Sequence, residues 1–357
     1  MLLLKTCAPK SSVIARVIKW GTTSKTNLLR VLILSPMPEG LVRLLFAESL
    51  EKYQIEADFT TVNEPNSERL RKELQEADIV IGDYTFKVPI TAEMVNLMTR
   101  VKLIAQPSTG YDHIDLVACK GKGIPVSNVG GANAVSVAEH TMALALMLLK
   151  RIGYAHRRIT EGSWVQEELL NVAAEVQAKT WGIIGLGRIG REVASRARAM
   201  GASVAYTDLV RPPEQEEQKL EVSFLPLQRL LAESDVASIH VPLTEKTRGM
   251  LGEREFRLMK SYAIFVNVSR GELVDEGALA KAVTQGWIGG AGIDVFSSEP
   301  IGQDNPLLIA AKEGANIVLT PHVAGATNDA RLRIIQTTVD NVVRVAKGQP
   351  PLNVVNP

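Results

Sequence analysis

The chain has 357 residues, 46% of them hydrophobic, which is enough for about two domains that each bury a core. Its formal net charge is +1, and residues 1–26 hold five of the 40 basic residues and none of the 39 acidic ones, so a basic surface for nucleic acid is not expected. Its two cysteines, Cys7 and Cys119, are too few and too far apart for a disulfide framework or a zinc site. We therefore expect a reducing compartment, the cytoplasm, and no bound metal.

Residues 1–26 form an extension that is rich in Ser, Thr and basic residues, and the first acidic residue of the chain is Glu39. This composition is typical of organelle-targeting peptides, but disordered extensions share it, and both interpretations stay open. The most apolar helical stretch, residues 142–149, is far shorter than the roughly 20 residues that cross a bilayer. We interpret it as a buried helix and expect no membrane span.

From residue 30 the chain alternates short β-branched runs with helical stretches, a pattern typical of parallel sheets with crossover helices. A first set of predicted strands covers residues 31–35, 79–81, 102–106 and 125–127. A long apolar helix over residues 134–151 separates it from a second set over residues 181–184, 203–207, 236–240, 263–268, 290–294 and 316–320. The pattern predicts two doubly wound α/β domains. It leaves open which of them receives the last predicted helix, residues 328–347.

A glycine-rich turn opens the second set of strands. In "WGIIGLGRIG", Gly185, Gly187 and Gly190 form GxGxxG directly after an apolar strand and before a helical stretch. Glycines there permit a tight turn and let a pyrophosphate approach the helix N-terminus. The next predicted strand ends in Asp208, whose carboxylate would accept hydrogen bonds from the adenosine ribose and repel a 2′-phosphate. The pattern predicts NAD in preference to NADP, a preference that the nearby Arg211 would soften.

Three chemically useful residues follow the later predicted strands. Arg270 follows "AIFVNVS", Glu299 lies a few residues past "GAGID", and His322 follows "NIVLTP". Ligands of open α/β sheets bind outside the carboxyl ends of the strands, so these residues are expected on the edge that carries the cofactor motif. Each alone is more often part of a turn or a cap. Their joint occurrence, with Val241 and Pro242 of "HVP" on the same edge, predicts a site.

The three side chains suit one reaction. Reduction of a ketone by a nicotinamide needs a proton donor that titrates near neutral pH, and an imidazole such as His322 does so. A carboxylate beside it, Glu299, would favour the imidazolium and orient the ring. Arg270 would hold a substrate carboxylate with two parallel hydrogen bonds. Together these parts predict a 2-oxo acid reductase or, in reverse, a 2-hydroxy acid dehydrogenase.

The sequence resembles the D-isomer-specific 2-hydroxyacid dehydrogenases, which include D-lactate dehydrogenase, glyoxylate/hydroxypyruvate reductase and D-3-phosphoglycerate dehydrogenase. The resemblance runs from about Leu28 to the final "PLNVVNP". It is carried by "STGYDHID", "GANAVSVAEH", "WGIIGLGRIG", "HVPLTEKT", "NVSRGELVDEGAL", "GAGIDVFSSEP" and "TPHVAGAT". It implies two Rossmann- or flavodoxin-like domains, with an NAD-binding domain over residues 127–325 inserted into a substrate-binding domain over residues 27–126 and 326–357. The last helix thus returns to the first domain.

Carried over by position, the resemblance implies the roles of individual residues. The catalytic set would be Arg270, Glu299 and His322. The dinucleotide would contact Gly185, Gly187, Arg188, Ile189, Gly190, Asp208, Pro242, Val268, Ser269, Arg270, Asp294, His322 and Gly325. The small 2-oxo or 2-hydroxy acid would be bound by Arg270 and by the loop Ser108, Thr109 and Gly110. The resemblance also implies a homodimer formed through the NAD domain and its long helix, which fits the apolar "MALALMLL".

Two departures narrow the activity. Glu299 stands where the formate dehydrogenases of the family carry Gln, which argues against formate oxidation. No regulatory domain follows the shared region, so a serine-regulated phosphoglycerate dehydrogenase is not expected. The loop "STGYDHID" looks closer to the glyoxylate and hydroxypyruvate reductases. A phosphorylated substrate would need extra Lys or Arg in the cleft, and only Lys87 offers itself.

A glyoxylate/hydroxypyruvate-type reductase is therefore the first hypothesis, and D-3-phosphoglycerate dehydrogenase is the alternative within the family. The alternative of another class is an NAD(H)-sensing protein that resembles the corepressors of the same family. Against it, the chain has neither a long disordered arm nor a basic patch. Reduction of a 2-oxo acid by NADH would distinguish the enzyme from the sensor.

Overall fold

The computed structural model describes residues 28–357, so the predicted extension, residues 1–26, lies outside the described residues. The named strands of this region pair in parallel and form a five-stranded and a seven-stranded sheet. The strands of the first sheet are β1 (Leu29–Ile33), β2 (Ala57–Thr61), β3 (Ile79–Ile81), β4 (Leu103–Ala105) and β5 (Val126–Ser127). Those of the second are β6 (Thr180–Ile184), β7 (Ser203–Thr207), β8 (Val222–Phe224), β9 (Val236–Ile239), β10 (Ile264–Asn267), β11 (Gly290–Ile293) and β12 (Ile317–Leu319).

Helices connect the strands and cover the sheets. They are α1 (Glu39–Tyr53), α2 (Glu68–Glu76), α3 (Ala92–Leu97), α4 (Leu116–Gly121), α5 (Ala134–Leu149), α6 (Ile152–Thr160), α7 (Gln166–Leu170), α8 (Arg188–Ala199), α9 (Glu214–Leu220), α10 (Leu227–Glu233), α11 (Glu253–Phe256), α12 (Glu276–Thr284), α13 (Pro306–Lys312) and α14 (Asn328–Ala346). Among residues 28–357, no helix has the length and apolar character that crossing a membrane requires.

Both sheets are doubly wound. The strand order is β2-β1-β3-β4-β5 in the first sheet and β12-β11-β10-β9-β6-β7-β8 in the second. The winding reverses between β1 and β3 in one sheet and between β6 and β9 in the other, and such reversals open a crevice at the carboxyl ends of the strands. The predicted fold class, two Rossmann/flavodoxin-like domains, is confirmed.

The sequence pattern predicted ten of these strands and missed β2 and β8. Both are edge strands that pair with a single neighbour. They carry exposed polar residues, Asp58 in β2 and Ser223 in β8. Neither strand therefore forms the continuous apolar run of a strand that is buried on both faces.

The last helix, α14, packs on the five-stranded sheet. Its side chains Val342 and Val343 share a buried apolar cluster with Val31 and Ile33 of β1. Burial of these residues together removes apolar surface from water that neither element would cover alone. The return of this helix to the first sheet agrees with what the resemblance implies.

The chain passes between the sheets twice, and the two crossings touch. A Cβ at Gly325 would lie 2.9 Å from Nδ2 of Asn133, and the hydroxyl oxygens of Ser136 and Thr327 are 2.6 Å apart. The predicted domain boundaries fall at these crossings. The boundaries stay predictions, and the crossings support them because, within residues 28–357, the chain joins the two sheets at these two places.

The long helix α5 lies over the seven-stranded sheet. Its side chains Leu144 and Leu148 belong to the buried cluster on this face. Beneath them is Gly292 of β11, where a Cβ would lie 2.9 Å from Cβ of Leu144 and 3.2 Å from Cδ1 of Leu148. The absence of a side chain at this position lets the helix lie close to the sheet.

Gly292→Ala should therefore push α5 away from β11. We expect the free energy of unfolding to fall by about 1–3 kcal/mol, the usual cost of overpacking a core, as measured by urea denaturation. Gly153→Ala in α6 is the matched control, because a Cβ there meets nothing within 4 Å. It should change stability by less than about 1 kcal/mol. Equal losses in both variants would contradict the close packing.

Candidate active site

A cleft of about 1110 Å³ lies between the carboxyl edges of the two sheets. Most residues predicted for the site line it: Ser108, Thr109, Gly110, Arg188, Ile189, Pro242, Val268, Ser269, Arg270, Glu299, His322 and Gly325. The cleft thus brings together side chains and loops that are up to about two hundred residues apart in sequence. The other predicted residues, Gly185, Gly187, Gly190, Asp208 and Asp294, do not line it.

His322 and Glu299 form a pair on one wall of the cleft. Nδ1 of His322 lies 2.7 Å from Oε2 of Glu299, and the side chains are 38% and 37% exposed. The other carboxylate oxygen of Glu299 accepts the Phe296 N–H at 2.9 Å. Burial raises the pKa of Glu299, but the hydrogen bonds from His322 and Phe296 and the positive charge nearby outweigh it, so the net pKa is lowered. Glu299 is therefore a carboxylate at neutral pH and fixes the orientation of the imidazole.

Asp294 fastens the loop that carries His322. It is fully buried, and its carboxylate oxygens accept the N–H groups of Val323 and Ala324 at 2.9 and 2.8 Å and the Thr320 hydroxyl at 2.5 Å. The His322 N–H donates to the Asp294 carbonyl at 2.7 Å. His322 itself has a φ of 54°, a left-handed conformation that costs free energy in a non-glycine residue. These hydrogen bonds hold His322 in that conformation. They also place the Asp294 carboxylate behind the wall of the cleft.

Arg270 follows β10 and reaches toward the first sheet. Its Nε donates to Oδ2 of Asp112 at 2.7 Å, and Nη1 donates to the Ser269 carbonyl at 2.7 Å. The guanidinium carbon is 5.4 Å from the ring centre of Phe86. A Cβ at Gly110 would lie 1.6 Å from Nη2, so a residue with a side chain would collide with the guanidinium there. Arg270 is thus held by both sides of the cleft.

The loop after β4 presents backbone N–H groups to the cleft. Within residues 28–357, the N–H groups of Ser108, Thr109 and Gly110 donate to no acceptor. The side chains brace the loop instead: the Ser108 hydroxyl donates to the Gly110 carbonyl at 2.7 Å, and the Thr109 hydroxyl donates to Oδ1 of Asn133 at 2.7 Å. Unpaired N–H groups beside a guanidinium suit a carboxylate ligand.

The glycine turn has the geometry that a dinucleotide needs. Gly185 has a φ of 97°, and a Cβ at Gly190 would lie 2.1 Å from the Gly185 carbonyl oxygen. Gly187 precedes α8, and a Cβ there meets nothing within 4 Å, so its face is open. The turn thus exposes the N-terminus of a twelve-residue helix, where a pyrophosphate is stabilised by N–H groups and the helix dipole.

Asp208 lies beside this turn, at the end of β7. Its Oδ2 accepts the Leu186 N–H at 2.7 Å, which fixes the carboxylate at the predicted ribose position. Arg211 is directed elsewhere: its guanidinium donates to both carboxylate oxygens of Glu217, at 2.7 and 2.9 Å. Hydrogen bonds from Arg211 and Tyr206 lower the pKa of Glu217 to about 2, so this pair persists at neutral pH. Arg211 is therefore less available to a 2′-phosphate, so its expected effect on the preference for NAD over NADP is smaller.

Among the described residues, none of the other histidines near the cleft has a carboxylate within 3 Å, and Nε2 of His140 lies 3.6 Å from Oδ1 of Asp294. Burial lowers the pKa of His240 to about 3, so it is neutral at physiological pH. Burial also lowers the pKa of His113, whose two ring nitrogens have no hydrogen-bond partner. His140 lies behind the wall, 3.0 Å from the Thr320 hydroxyl. Residues 28–357 contain no group of three or more His, Cys, Asp or Glu that would hold a metal ion.

Sequence reasoning named the loop of Ser108, Thr109 and Gly110 but missed the rest of the wall that the first sheet supplies. Asp112 belongs to the motif "STGYDHID", but nothing in the sequence indicated that it would pair with Arg270. Tyr84 and Phe86 follow β3, and Leu41 lies in α1. These residues belong to no motif, and only the strand order of the first sheet would have brought them to the cleft.

Comparison with known proteins agrees with this geometry. Residues 142–324 match the family described as D-isomer specific 2-hydroxyacid dehydrogenase, NAD binding domain. A glyoxylate reductase of Korarchaeum cryptofilum is 37% identical over 92% of this chain and 96% of its own length. A D-3-phosphoglycerate dehydrogenase of Archaeoglobus fulgidus is 35% identical, with 92% of this chain and 59% of that relative covered.

Among solved structures, the D-lactate dehydrogenase of Aquifex aeolicus, crystallised with NAD and lactic acid, has a TM-score of 0.79 and 33% identity to this chain. The match covers 92% of this chain and 99% of the D-lactate dehydrogenase chain. The expected cofactor, NAD, and the expected enzyme class are confirmed by these matches. The chain belongs to the family of D-isomer specific 2-hydroxyacid dehydrogenases and is an NAD-dependent oxidoreductase.

Proposed function

We propose that the protein reduces a small 2-oxo acid to its D-2-hydroxy acid with NADH, with His322, Glu299 and Arg270 as the catalytic residues. The observation that carries the proposal is the 2.7 Å pair of His322 and Glu299 on a cleft wall that also holds Arg270. An acid, its orienting carboxylate and a fixed cation in one cleft are the set that carbonyl reduction requires.

The proton path follows from the pairing of the imidazole. Nδ1 of His322 is engaged by Glu299, so the proton passes between Nε2 and the substrate oxygen. The carboxylate stabilises the imidazolium before transfer and keeps the ring in one orientation after it. NADH, when bound, supplies the hydride that completes the reduction.

The substrate carboxylate binds between the guanidinium of Arg270 and the N–H groups of Ser108, Thr109 and Gly110, which lack other acceptors. This anchor would leave the adjacent carbonyl near His322, because His322, Arg270 and the loop of Ser108 to Gly110 all line the same cleft. Orientation of this kind converts binding free energy into rate.

The cofactor contacts are proposed at three places. The pyrophosphate lies on the turn of Gly185, Gly187 and Gly190, the ribose on Asp208, and the nicotinamide end along the cleft wall. The wall residues are Arg188, Ile189, Pro242, Val268, Ser269 and Gly325. Asp294 contributes by fixing the loop of His322, since its carboxylate accepts three hydrogen bonds from that loop.

Relatives named glyoxylate reductase favour a glyoxylate- or hydroxypyruvate-type substrate. D-3-phosphoglycerate dehydrogenase stays the second candidate, because relatives of that name match nearly as well. Lys87 does not favour it: this lysine is exposed and does not line the cleft.

A homodimer and a cytoplasmic location complete the proposal. Large apolar side chains are exposed just after α5: Ile152, Ile159, Trp164, Leu170 and Val172. Several large exposed apolar side chains within one short stretch are typical of a protein interface, and their place after the long helix supports a dimer formed through the NAD domain.

His322→Gln should abolish most of the turnover, because glutamine cannot deliver the proton. We expect kcat to fall by about 10²–10⁴-fold while NADH still binds. The assay is NADH oxidation with glyoxylate, hydroxypyruvate, pyruvate and phosphohydroxypyruvate, and NADH binding is measured separately. His156→Gln in α6 is the control and should keep full activity. Unchanged turnover in His322→Gln would refute the assignment, and NADH binding without turnover of any acid would favour the sensor.

Asp294→Asn should loosen the loop of His322. An amide can place only one oxygen toward the two N–H groups and the hydroxyl that the carboxylate now accepts, so a buried donor loses its acceptor. We expect a loss of about 1–3 kcal/mol in the free energy of unfolding, together with a lower kcat. The exposed Asp304→Asn is the control. Full stability in Asp294→Asn would show that the loop does not depend on this carboxylate.

Asp208→Asn should relax the choice of cofactor. The change removes the charge that repels a 2′-phosphate but keeps an oxygen for the Leu186 N–H. We expect the ratio of kcat/KM with NADPH to kcat/KM with NADH to rise by about tenfold. An unchanged ratio would place the discrimination elsewhere.

A further inference from the structure

Two residues with opposite effects on the choice of cofactor lie close together after β7. Asp208 follows the strand directly, and Arg211 comes three residues later. In dinucleotide-binding folds a carboxylate at this position accepts the 2′-hydroxyl of NAD, whereas an arginine nearby accommodates the 2′-phosphate of NADP. Three residues of chain span at most about 11 Å, and the side chain of an arginine is long enough to cover most of that distance. The chain thus contains determinants for both cofactors.

Helix α9 holds the guanidinium of Arg211. Its Nε and Nη2 donate to the two carboxylate oxygens of Glu217 at 2.7 and 2.9 Å, and its central carbon lies 5.1 Å from the ring centre of Phe224 in β8. A pair with two parallel hydrogen bonds fixes the plane of the guanidinium as well as its distance. Arg211 is therefore directed toward α9 and β8, although its side chain is 61% exposed.

Glu217 is a fixed partner for this arginine. The residue is 7% exposed, and its carboxylate also accepts the hydroxyl of Tyr206, which is fully buried in β7. Hydrogen bonds from Arg211 and Tyr206 lower the pKa of Glu217 to about 2, so the carboxylate is charged at neutral pH. Movement of Arg211 away from it would leave a buried charge with one donor fewer, which is unfavourable.

The same helix holds a second arginine near Asp208. Arg191 of α8 pairs with Glu216, and its Nε donates to the Leu186 carbonyl at 3.1 Å. The N–H of Leu186 in turn donates to Asp208. Neighbouring acids of α9 thus neutralise two cations that lie near the carboxylate of Asp208.

We propose that Glu217 is a specificity-determining residue: by withholding Arg211 it makes the protein select NAD, in addition to the repulsion that Asp208 exerts on a 2′-phosphate. The inference rests on the proposed position of the ribose at Asp208. It extends that proposal, because it assigns part of the discrimination to a residue that acts through Arg211. Without the charge of Glu217, Arg211 is free to pair with a 2′-phosphate and to offset the charge of Asp208.

The test uses two nucleotides that differ only in the 2′-phosphate, adenosine 2′,5′-bisphosphate and adenosine 5′-monophosphate. Their dissociation constants are measured by calorimetry with the full chain, so the readout needs no substrate and no turnover. In Glu217→Gln the amide oxygen still accepts the Tyr206 hydroxyl, but the pair with Arg211 loses its charge and one of its acceptors. We expect the affinity for the bisphosphate, relative to that for the monophosphate, to rise by about tenfold.

Two further variants show whether the gain comes from Arg211. Glu214→Gln is the matched control, the same substitution in the same helix at an exposed residue whose carboxylate accepts from Gln218. Its ratio should stay within about twofold of the unchanged protein. In the double variant Glu217→Gln with Arg211→Ala the gain should disappear. Equal ratios in Glu217→Gln and Glu214→Gln, or a gain that persists in the double variant, would overturn the proposal.

Arg211→Ala alone keeps the test decisive if Glu217→Gln does not fold. An arginine that is withheld contributes little to the binding of a 2′-phosphate, so the ratio should stay within about threefold of the unchanged protein. A fall of about tenfold would show that Arg211 already serves the 2′-phosphate and would refute the proposal. Turnover reports separately on the proposed function: the expected nucleotide ratios without reduction of any 2-oxo acid would overturn the reductase and leave the role of Glu217 intact.

Discussion

The site depends on one constraint, the parallel pairing of both sheets. In a parallel sheet every strand ends on the same edge, so the loops that follow β9, β10, β11 and β12 collect beside the glycine turn that follows β6. Buried carboxylates then fix the positions of these loops along that edge. Asp294 fastens the loop after β12, and Asp83 fastens the loop after β3 on the facing sheet. Each carboxylate supplies several acceptors to N–H groups that would otherwise lack partners, and this makes the loops rigid.

Much of the second sheet was predictable from local pattern. Its central strands are apolar runs followed by turn residues, and Arg270, Glu299 and His322 stand at fixed short distances from the ends of such runs. The glycine turn was predictable because positions that tolerate no side chain require glycine, and the glycines are visible in the sequence. The chemistry of carbonyl reduction predicts that His322 needs a carboxylate such as Glu299 beside it. The 2.7 Å distance between the two side chains could not be predicted, because it depends on how two loops fold.

The rest could not be predicted because it depends on strand order and on contacts between distant segments. β2 and β8 are polar edge strands without an apolar run. The position of α14 depends on its packing with β1, about three hundred residues away in sequence, and periodicity alone did not determine it. Asp294 shows the same limit: the resemblance implies a cofactor contact, and nothing in the sequence indicated that its carboxylate would also fasten the loop of His322. The apolar wall of the first sheet carries no motif at all.

The packing of α14 against β1 also bears on the order in which the protein is completed during synthesis. β1 leaves the ribosome among the first described residues, but the valines that complete its buried cluster are in α14, about three hundred residues later. The second sheet has no such dependence, since its strands and the helix that covers them lie between residues 134 and 319. Domains generally fold as units during translation. The second sheet can therefore be finished while the first sheet still exposes an apolar face, and β1, which is made early, is protected late.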